Sequence, residues 1–106
     1  MKRKFKVYAS TSGTTLSVTY KPYRPGEGSR ITRRTFKGRD LLDALGNMVD
    51  TIGLYFDSDD IADEEMTAED VISRIESENG DGCDMIFELK DLTTGQVYIN
   101  EMDYMD

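Results

Sequence analysis

The spacing of the apolar residues changes twice along this chain, and these changes limit the folds open to it. Apolar and polar residues alternate over residues 3–9 and 16–21, which predicts two half-buried strands joined by a turn at Gly13. From Asp40 the apolar residues recur every three or four positions, as in an amphipathic helix. Alternation returns from Asp84. The pattern therefore predicts an α+β domain, with helices packed on one face of an antiparallel sheet.

The predicted element order is β-β-β-α-α-β-β, which gives a sheet of about five strands and two helices. Residues 30–36 are predicted to form an edge strand, because three arginines leave few side chains to bury. A second helix is predicted to begin at Thr67, since Thr67 and Asp70 have the spacing of a capping box. Gly46 interrupts the first helix, and we interpret it as a point of close approach between helix and sheet.

Length and composition favour one domain over residues 1–106, with 38% apolar residues. By charge and predicted structure, this domain divides into basic strands (1–38), an acidic helical region (39–80), and a C-terminal hairpin with an acidic tail (81–106). No apolar run approaches the roughly 18 residues of a membrane span, and no signal-peptide core follows the N-terminus. The single cysteine, Cys83, is predicted to be a small buried residue. These features predict a reduced, cytoplasmic protein with no membrane partner.

The residues needed for common catalytic and metal sites are missing from the sequence. The chain has no histidine and one cysteine, which excludes Ser-His and Cys-His nucleophiles and tetrahedral zinc sites. A calcium-loop frame starting at Asp57 places Ala62 where glycine is required and Ala68 where a bidentate glutamate is required. No phosphate-cradling motif is present. We therefore expect no enzymatic activity, no metal and no cofactor.

The net charge of −8 combines two oppositely charged parts of the chain. Residues 1–38 carry a net charge of +9 and residues 39–106 a net charge of −17. Residues 40–73 hold eleven acidic side chains and no lysine or arginine. The densest run is interpreted as a loop between the helices. If extended, it would span roughly 30 Å, and its neighbouring charges would then be spaced similarly to the phosphates of one nucleic-acid strand. It gives a candidate partner-binding acidic surface or, alternatively, a solvated loop: Asp57, Asp59, Asp60, Asp63, Glu64 and Glu65.

The basic half supplies a second candidate site. Arginines beside a tyrosine on predicted strands can hold phosphates and stack on bases, which would suit guide RNA or DNA. The same charges could instead pair within the molecule with the acidic helices. The residues of this alternative nucleic-acid-binding site are Tyr23, Arg24, Arg30, Arg33 and Arg34.

Three features of the chain carry a resemblance: the acidic run Asp57–Glu65, the Thr67–Asp70 box and the hairpin turn at Asp91–Gly95. With these features, the chain resembles in general style the small proteins of phages and mobile elements, including the Cas9-inhibiting anti-CRISPR proteins. The resemblance implies a non-enzymatic inhibitor that binds a CRISPR effector nuclease or its guide RNA in the bacterial cytoplasm. Acidic side chains would then act as a DNA mimic and block target DNA. The expected partner is a basic nucleic-acid-binding protein.

Overall fold

Four antiparallel strands and three helices make up residues 13–23 and 30–104, the part of the chain that the computed structural model describes. The strands follow the spatial order β2-β1-β3-β4. Their bounds are β1 Thr14–Lys21, β2 Thr32–Gly38, β3 Met85–Asp91 and β4 Val97–Asn100. The helices are α1 Leu41–Thr51, α2 Ser58–Asp63 and α3 Ala68–Glu78, and a short 3-10 helix, Met102–Tyr104, follows β4. The predicted α+β class with an antiparallel sheet is confirmed.

One face of the sheet forms the core with the helices. Leu16 and Val18 of β1 lie opposite Phe36 of β2 and Leu89 of β3, respectively. These side chains belong to the same buried cluster as Met48 of α1 and residues of the two later helices. Alternation along β1 sends Ser17 and Thr19 to the opposite face. All three helices therefore contribute apolar side chains to one layer over the sheet.

The strand count and the helix count both depart from the prediction. The strand predicted at residues 3–9 lies outside the described residues, so the described sheet has four strands rather than about five. The strand predicted at residues 30–36 is β2, at one end of the described strand order. The prediction of two helices is wrong, because α2 forms where a loop was expected. Only Ile61 of α2 is buried, so its six residues show no amphipathic stripe.

The helix starts follow the sequence signals. Asp40 caps α1 by accepting a hydrogen bond from the Asp43 N–H at 2.9 Å. The Thr67–Asp70 capping box is confirmed, with the Asp70 N–H donating to Thr67 Oγ1 at 3.1 Å and the Thr67 N–H donating to Asp70 Oδ2 at 3.0 Å. These bonds satisfy backbone donors that the first helical turn leaves unpaired.

The interpretation of Gly46 as a helix–sheet contact is wrong. A Cβ atom at Gly46 would meet only Ser58 Cβ of α2, at 3.6 Å, which is an ordinary contact. The close approach between helix and sheet occurs at Gly38, where a Cβ atom would clash with the backbone N of Ala44. The helix glycine therefore faces the second helix and is not required by packing.

Asp84 connects the sheet to the end of α1. Its Oδ1 accepts a hydrogen bond from the Tyr23 N–H at 2.7 Å, and its Oδ2 accepts one from the Gly53 N–H at 2.8 Å. The Asp84 N–H donates to the Gly53 carbonyl at 3.0 Å. The residue is only 7% exposed. Both carboxylate oxygens are thus used inside the structure.

Within residues 13–23 and 30–104, no helix has the length and apolar character needed to cross a bilayer.

Candidate functional site

The acidic run Asp57–Glu65 is compact rather than extended. It contains α2, whose six residues span about 9 Å at a rise of about 1.5 Å per residue. The expectation that the run would spread its charges over roughly 30 Å is therefore wrong. Asp59 and Asp63 instead lie one turn apart on the same side of α2, with their Cβ atoms about 5–6 Å apart. The charges form a dense patch.

Three of the six predicted site residues have roles in folding. Asp57 caps α2 by accepting a hydrogen bond from the Asp60 N–H at 3.1 Å, and the Asp57 N–H donates to Asp60 Oδ2 at 3.0 Å. This is a capping box with aspartate at both positions. Glu64 lies 3.7 Å from the guanidinium of Arg74 on α3. Asp57, Asp60 and Glu64 therefore stabilise the local structure.

The other three, which we call the open carboxylates, are Asp59, Asp63 and Glu65. All three side chains are exposed, and none forms a hydrogen bond or ion pair with a described residue. Like charges at the spacing of Asp59 and Asp63 destabilise a helix by roughly 0.2–0.5 kcal/mol. Asp59 lies in the first turn of α2, where the helix dipole favours a negative charge, whereas Asp63 and Glu65 lie at its C-terminal end, where the dipole disfavours one.

Glu65 also occupies an unfavourable backbone position. Its φ is +51°, the only positive φ of a non-glycine residue among the described residues. The Met66 N–H bonds to the Ile61 carbonyl at 3.0 Å and the Glu65 N–H to the Ala62 carbonyl at 3.2 Å. This is a Schellman motif, in which glycine is the usual residue at the position of Glu65. A glutamate here stores strain, which is a feature of functional positions.

Hydrogen bonds and ion pairs hold the neighbouring carboxylates of α1. Asp50 accepts from the Ser58 N–H at 2.8 Å and from the Ser58 hydroxyl at 2.7 Å, which ties α1 to α2. Asp43 accepts from the Arg39 N–H at 2.9 Å and pairs with its guanidinium at 3.4 Å. The hydrogen bond from the Arg39 backbone, then that from its side chain, lowers the pKa of Asp43 below its ordinary value.

A groove of about 460 Å³ runs between α1 and α2. Apolar and acidic side chains both line it, together with a single cation, Arg39. We call it the α1–α2 groove, and its main lining residues are Leu42, Asp43, Gly46, Asp50, Ile61, Ala62, Glu65 and Met66. The sequence alone does not predict this groove, because the groove depends on how α2 packs on α1. Gly46 inside a helix was the one signal that pointed to it.

Two of the basic candidate residues, Arg33 and Arg34, lie on opposite faces of the sheet. Arg33 Nε donates to Thr19 Oγ1 at 3.3 Å, whereas Arg34 Nε donates to the Tyr20 hydroxyl at 2.9 Å. Adjacent strand residues point to opposite faces of the sheet, so the two guanidinium groups diverge. Arg30 and Tyr23 are exposed, and Arg24 lies outside the described residues.

Internal pairing between sheet cations and helix acids is not seen in the described part of the chain. The ion pairs there are Arg39–Asp43, Arg74–Glu64 and Arg74–Glu78. All of them lie within the helical region, and none involves a residue of β2. No ion pair among the described residues therefore joins the sheet to the helices.

Cys83 is buried, as predicted. Its Sγ–H donates to the Glu78 carbonyl at 3.2 Å, and burial raises the pKa of the thiol. A buried thiol with a raised pKa is a poor nucleophile. The described residues also contain no group of three or more side chains placed to hold a metal ion.

No family model matches the chain, and no curated protein or solved structure shows significant similarity to it. The geometry of these residues is therefore the basis of the functional proposal.

Proposed function

We propose that this protein is a non-enzymatic inhibitor whose acidic surface on α2 binds a basic, nucleic-acid-binding surface of another protein. The surface comprises the open carboxylates and their neighbours Asp57, Asp60 and Glu64. By the resemblance described above, the partner to test first is a Cas9-type nuclease loaded with guide RNA. In this proposal the protein comes from a phage or mobile element and acts in the bacterial cytoplasm.

The observation that carries the proposal is the set of open carboxylates. Three exposed acids lie within seven residues without a described internal partner, and Glu65 in addition lies at a strained position. Local violations of folding preferences are expected where function requires the residue. A solvated loop would account for the exposed charge but not for a glutamate at a glycine position.

The shape of α2 supports contact with a phosphate-binding groove. A compact cluster of negative charge attracts a basic surface, and electrostatic complementarity of this kind speeds association and selects partners. Because the α2 patch spans about 9 Å, it would replace a few adjacent phosphates rather than a long stretch of backbone. Inhibition would follow from local competition for a basic site.

The test compares two triple variants with the same change in net charge. Asp59→Asn, Asp63→Asn and Glu65→Gln together remove the open carboxylates. The control combines Glu76→Gln, Asp81→Asn and Asp103→Asn, which are exposed acids elsewhere. Competition with fluorescent target DNA for Cas9–guide RNA is the readout. We expect the first triple variant to bind at least about tenfold more weakly and the control to stay within about twofold.

If both triple variants lost the same amount of binding affinity, the loss would be explained by net charge and not by the open carboxylates. Unchanged binding by the first triple variant would overturn the proposal. The alternative function, binding of guide RNA or DNA by the basic strands, is tested in parallel without nuclease. In that case Arg30→Ala, Arg33→Ala and Arg34→Ala should weaken nucleic-acid binding and lower its salt dependence.

A further inference from the structure

Two residues of the α1–α2 groove lie where a different residue would favour folding. Gly46 is inside α1, where glycine is among the least favourable residues, although a Cβ atom there would make only an ordinary contact. Glu65 has a φ of +51°, where glycine would be unstrained. The chain thus has a glycine where a side chain fits and a side chain where glycine fits. Both residues line the same groove.

These two choices shape the groove. Gly46 has no side chain to fill the space between α1 and α2, which the buried Ile61 also lines. Glu65 adds a carboxylate at the end of α2. The half-buried side chains of Leu42 and Met66 pack against the core and leave part of their apolar surface to the groove. The groove therefore offers both apolar surface and an exposed carboxylate.

The charge around the groove is strongly negative. Asp40, Asp43, Asp50 and Glu65 line it, against the single guanidinium of Arg39. Asp50 is held by Ser58, and Asp43 is paired with Arg39. Of the four carboxylates, only that of Glu65 has neither a capping role nor a partner among the described residues. An incoming cation would therefore find one carboxylate that need not break an internal bond.

We infer that the α1–α2 groove binds an arginine side chain presented by a segment of the protein partner, next to an apolar residue. The apolar stem of an arginine can pack against the apolar surface of Leu42 and Met66. Its planar guanidinium can pair with a carboxylate through two hydrogen bonds. The assignment deepens the proposed function, since it rests on a basic protein partner and names the side chain that the acidic surface receives.

The test uses NMR titration of ¹⁵N-labelled protein with the blocked peptide acetyl-Ala-Leu-Arg-Leu-Ala-amide. The matched control peptide carries citrulline, the neutral isostere of arginine. We expect the amide signals of Asn47, Ala62 and Met66 to shift with the arginine peptide and not with the citrulline peptide. Glu65→Gln should weaken the arginine peptide by about tenfold, because a charge-assisted pair is lost.

Two variants that fill the groove from opposite walls complete the test. Gly46→Leu and Ala62→Leu should both abolish the shifts, whereas Gly46→Ala should retain them. The second filling variant keeps the test decisive if the first does not fold. Shifts that persist in a folded filling variant, that occur equally with citrulline, or that are absent up to about 10 mM peptide would each overturn the assignment.

The same variants separate this inference from the proposed function. If Cas9–guide RNA binding is lost in the open-carboxylate triple variant but kept in folded Gly46→Leu and Ala62→Leu proteins, the proposed function stands and the groove assignment fails. If the arginine peptide binds the groove but no nuclease is bound, the groove assignment stands and the nuclease proposal fails.

Discussion

A single backbone angle distinguishes Glu65 from the other residues of the acidic run. Its positive φ places the Cβ atom close to a neighbouring carbonyl oxygen, a conformation that costs an L-residue about 1–2 kcal/mol. The hydrogen bonds of the Schellman motif fix the angle, because they require the left-handed conformation at this position. The strain belongs to the turn and would arise with other L-residues at this position, whereas glycine would avoid it.

Replacement of Glu65 by glycine is therefore expected to stabilise the protein. Glycine adopts the angle without strain but loses more conformational entropy on folding, so the net gain in free energy of unfolding should be about 0.5–1 kcal/mol. Urea unfolding followed by circular dichroism measures it. The control Glu65→Gln keeps the strain and removes the charge, so its stability should match that of the parent. A less stable glycine variant would show that the side chain contributes to folding.

At the scale of elements, the three helices are stabilised in different ways. α1 and α3 are eleven residues long and bury apolar side chains in the core, five in α1 and three in α3. α2 has only six residues, which is too short for a helix to be stable alone, and it buries a single side chain. Its hydrogen bonds at both ends and the contact of Ser58 with Asp50 replace the missing apolar stripe.

The N-cap of α2 should therefore contribute measurably to stability. Asp57→Ala removes the acceptor for the Asp60 N–H and should lower the free energy of unfolding by about 1 kcal/mol. Asp57→Asn keeps an acceptor of similar capping strength and should change it by only a few tenths of a kcal/mol. Chemical denaturation gives both values, and hydrogen exchange at the Asp60 amide shows whether α2 opens first. Equal stability of the two variants would contradict a capping role.

The same contrast explains which elements the sequence could predict. α1 and α3 were visible because their apolar residues repeat over several turns and their caps are local in sequence. The location of the acidic run was equally visible, but its geometry was not, since α2 depends on contacts with α1. Gly46 was recognisable as unusual, yet its neighbour Ser58 is twelve residues away in the chain. The groove followed from that contact and could not be predicted.

At the scale of the whole molecule, no ion pair of the described residues joins the sheet to the helices. Arg33 and Arg34 bond to hydroxyl groups of β1, and the ion pairs of the described residues stay within the helical region. Exposed ion pairs contribute little to stability, so the fold does not depend on ion pairs between the sheet and the helices. The open carboxylates are exposed, as the proposed function requires.

The carboxylate of Asp84 links the sheet to α1 through hydrogen bonds. It lies between the end of β1 and the end of α1 and accepts one backbone N–H on each oxygen, from Tyr23 and from Gly53. Only a carboxylate offers two acceptors in this arrangement. An asparagine has one acceptor oxygen and would turn its NH₂ group toward the second N–H donor.

Asp84→Asn should therefore destabilise the whole domain although it is nearly isosteric. One part-buried backbone N–H loses a hydrogen bond to a charged group, which costs about 1.5–3 kcal/mol in free energy of unfolding. Asp81→Asn is the matched control, because Asp81 lies in the same loop but is exposed, and it should stay within about 0.5 kcal/mol of the parent. Denaturant unfolding measures both variants, and hydrogen exchange should be faster at the Tyr23 or Gly53 amide in the Asp84 variant. If Asp84→Asn were as stable as the control, the sheet and α1 would have to be held together by core packing alone.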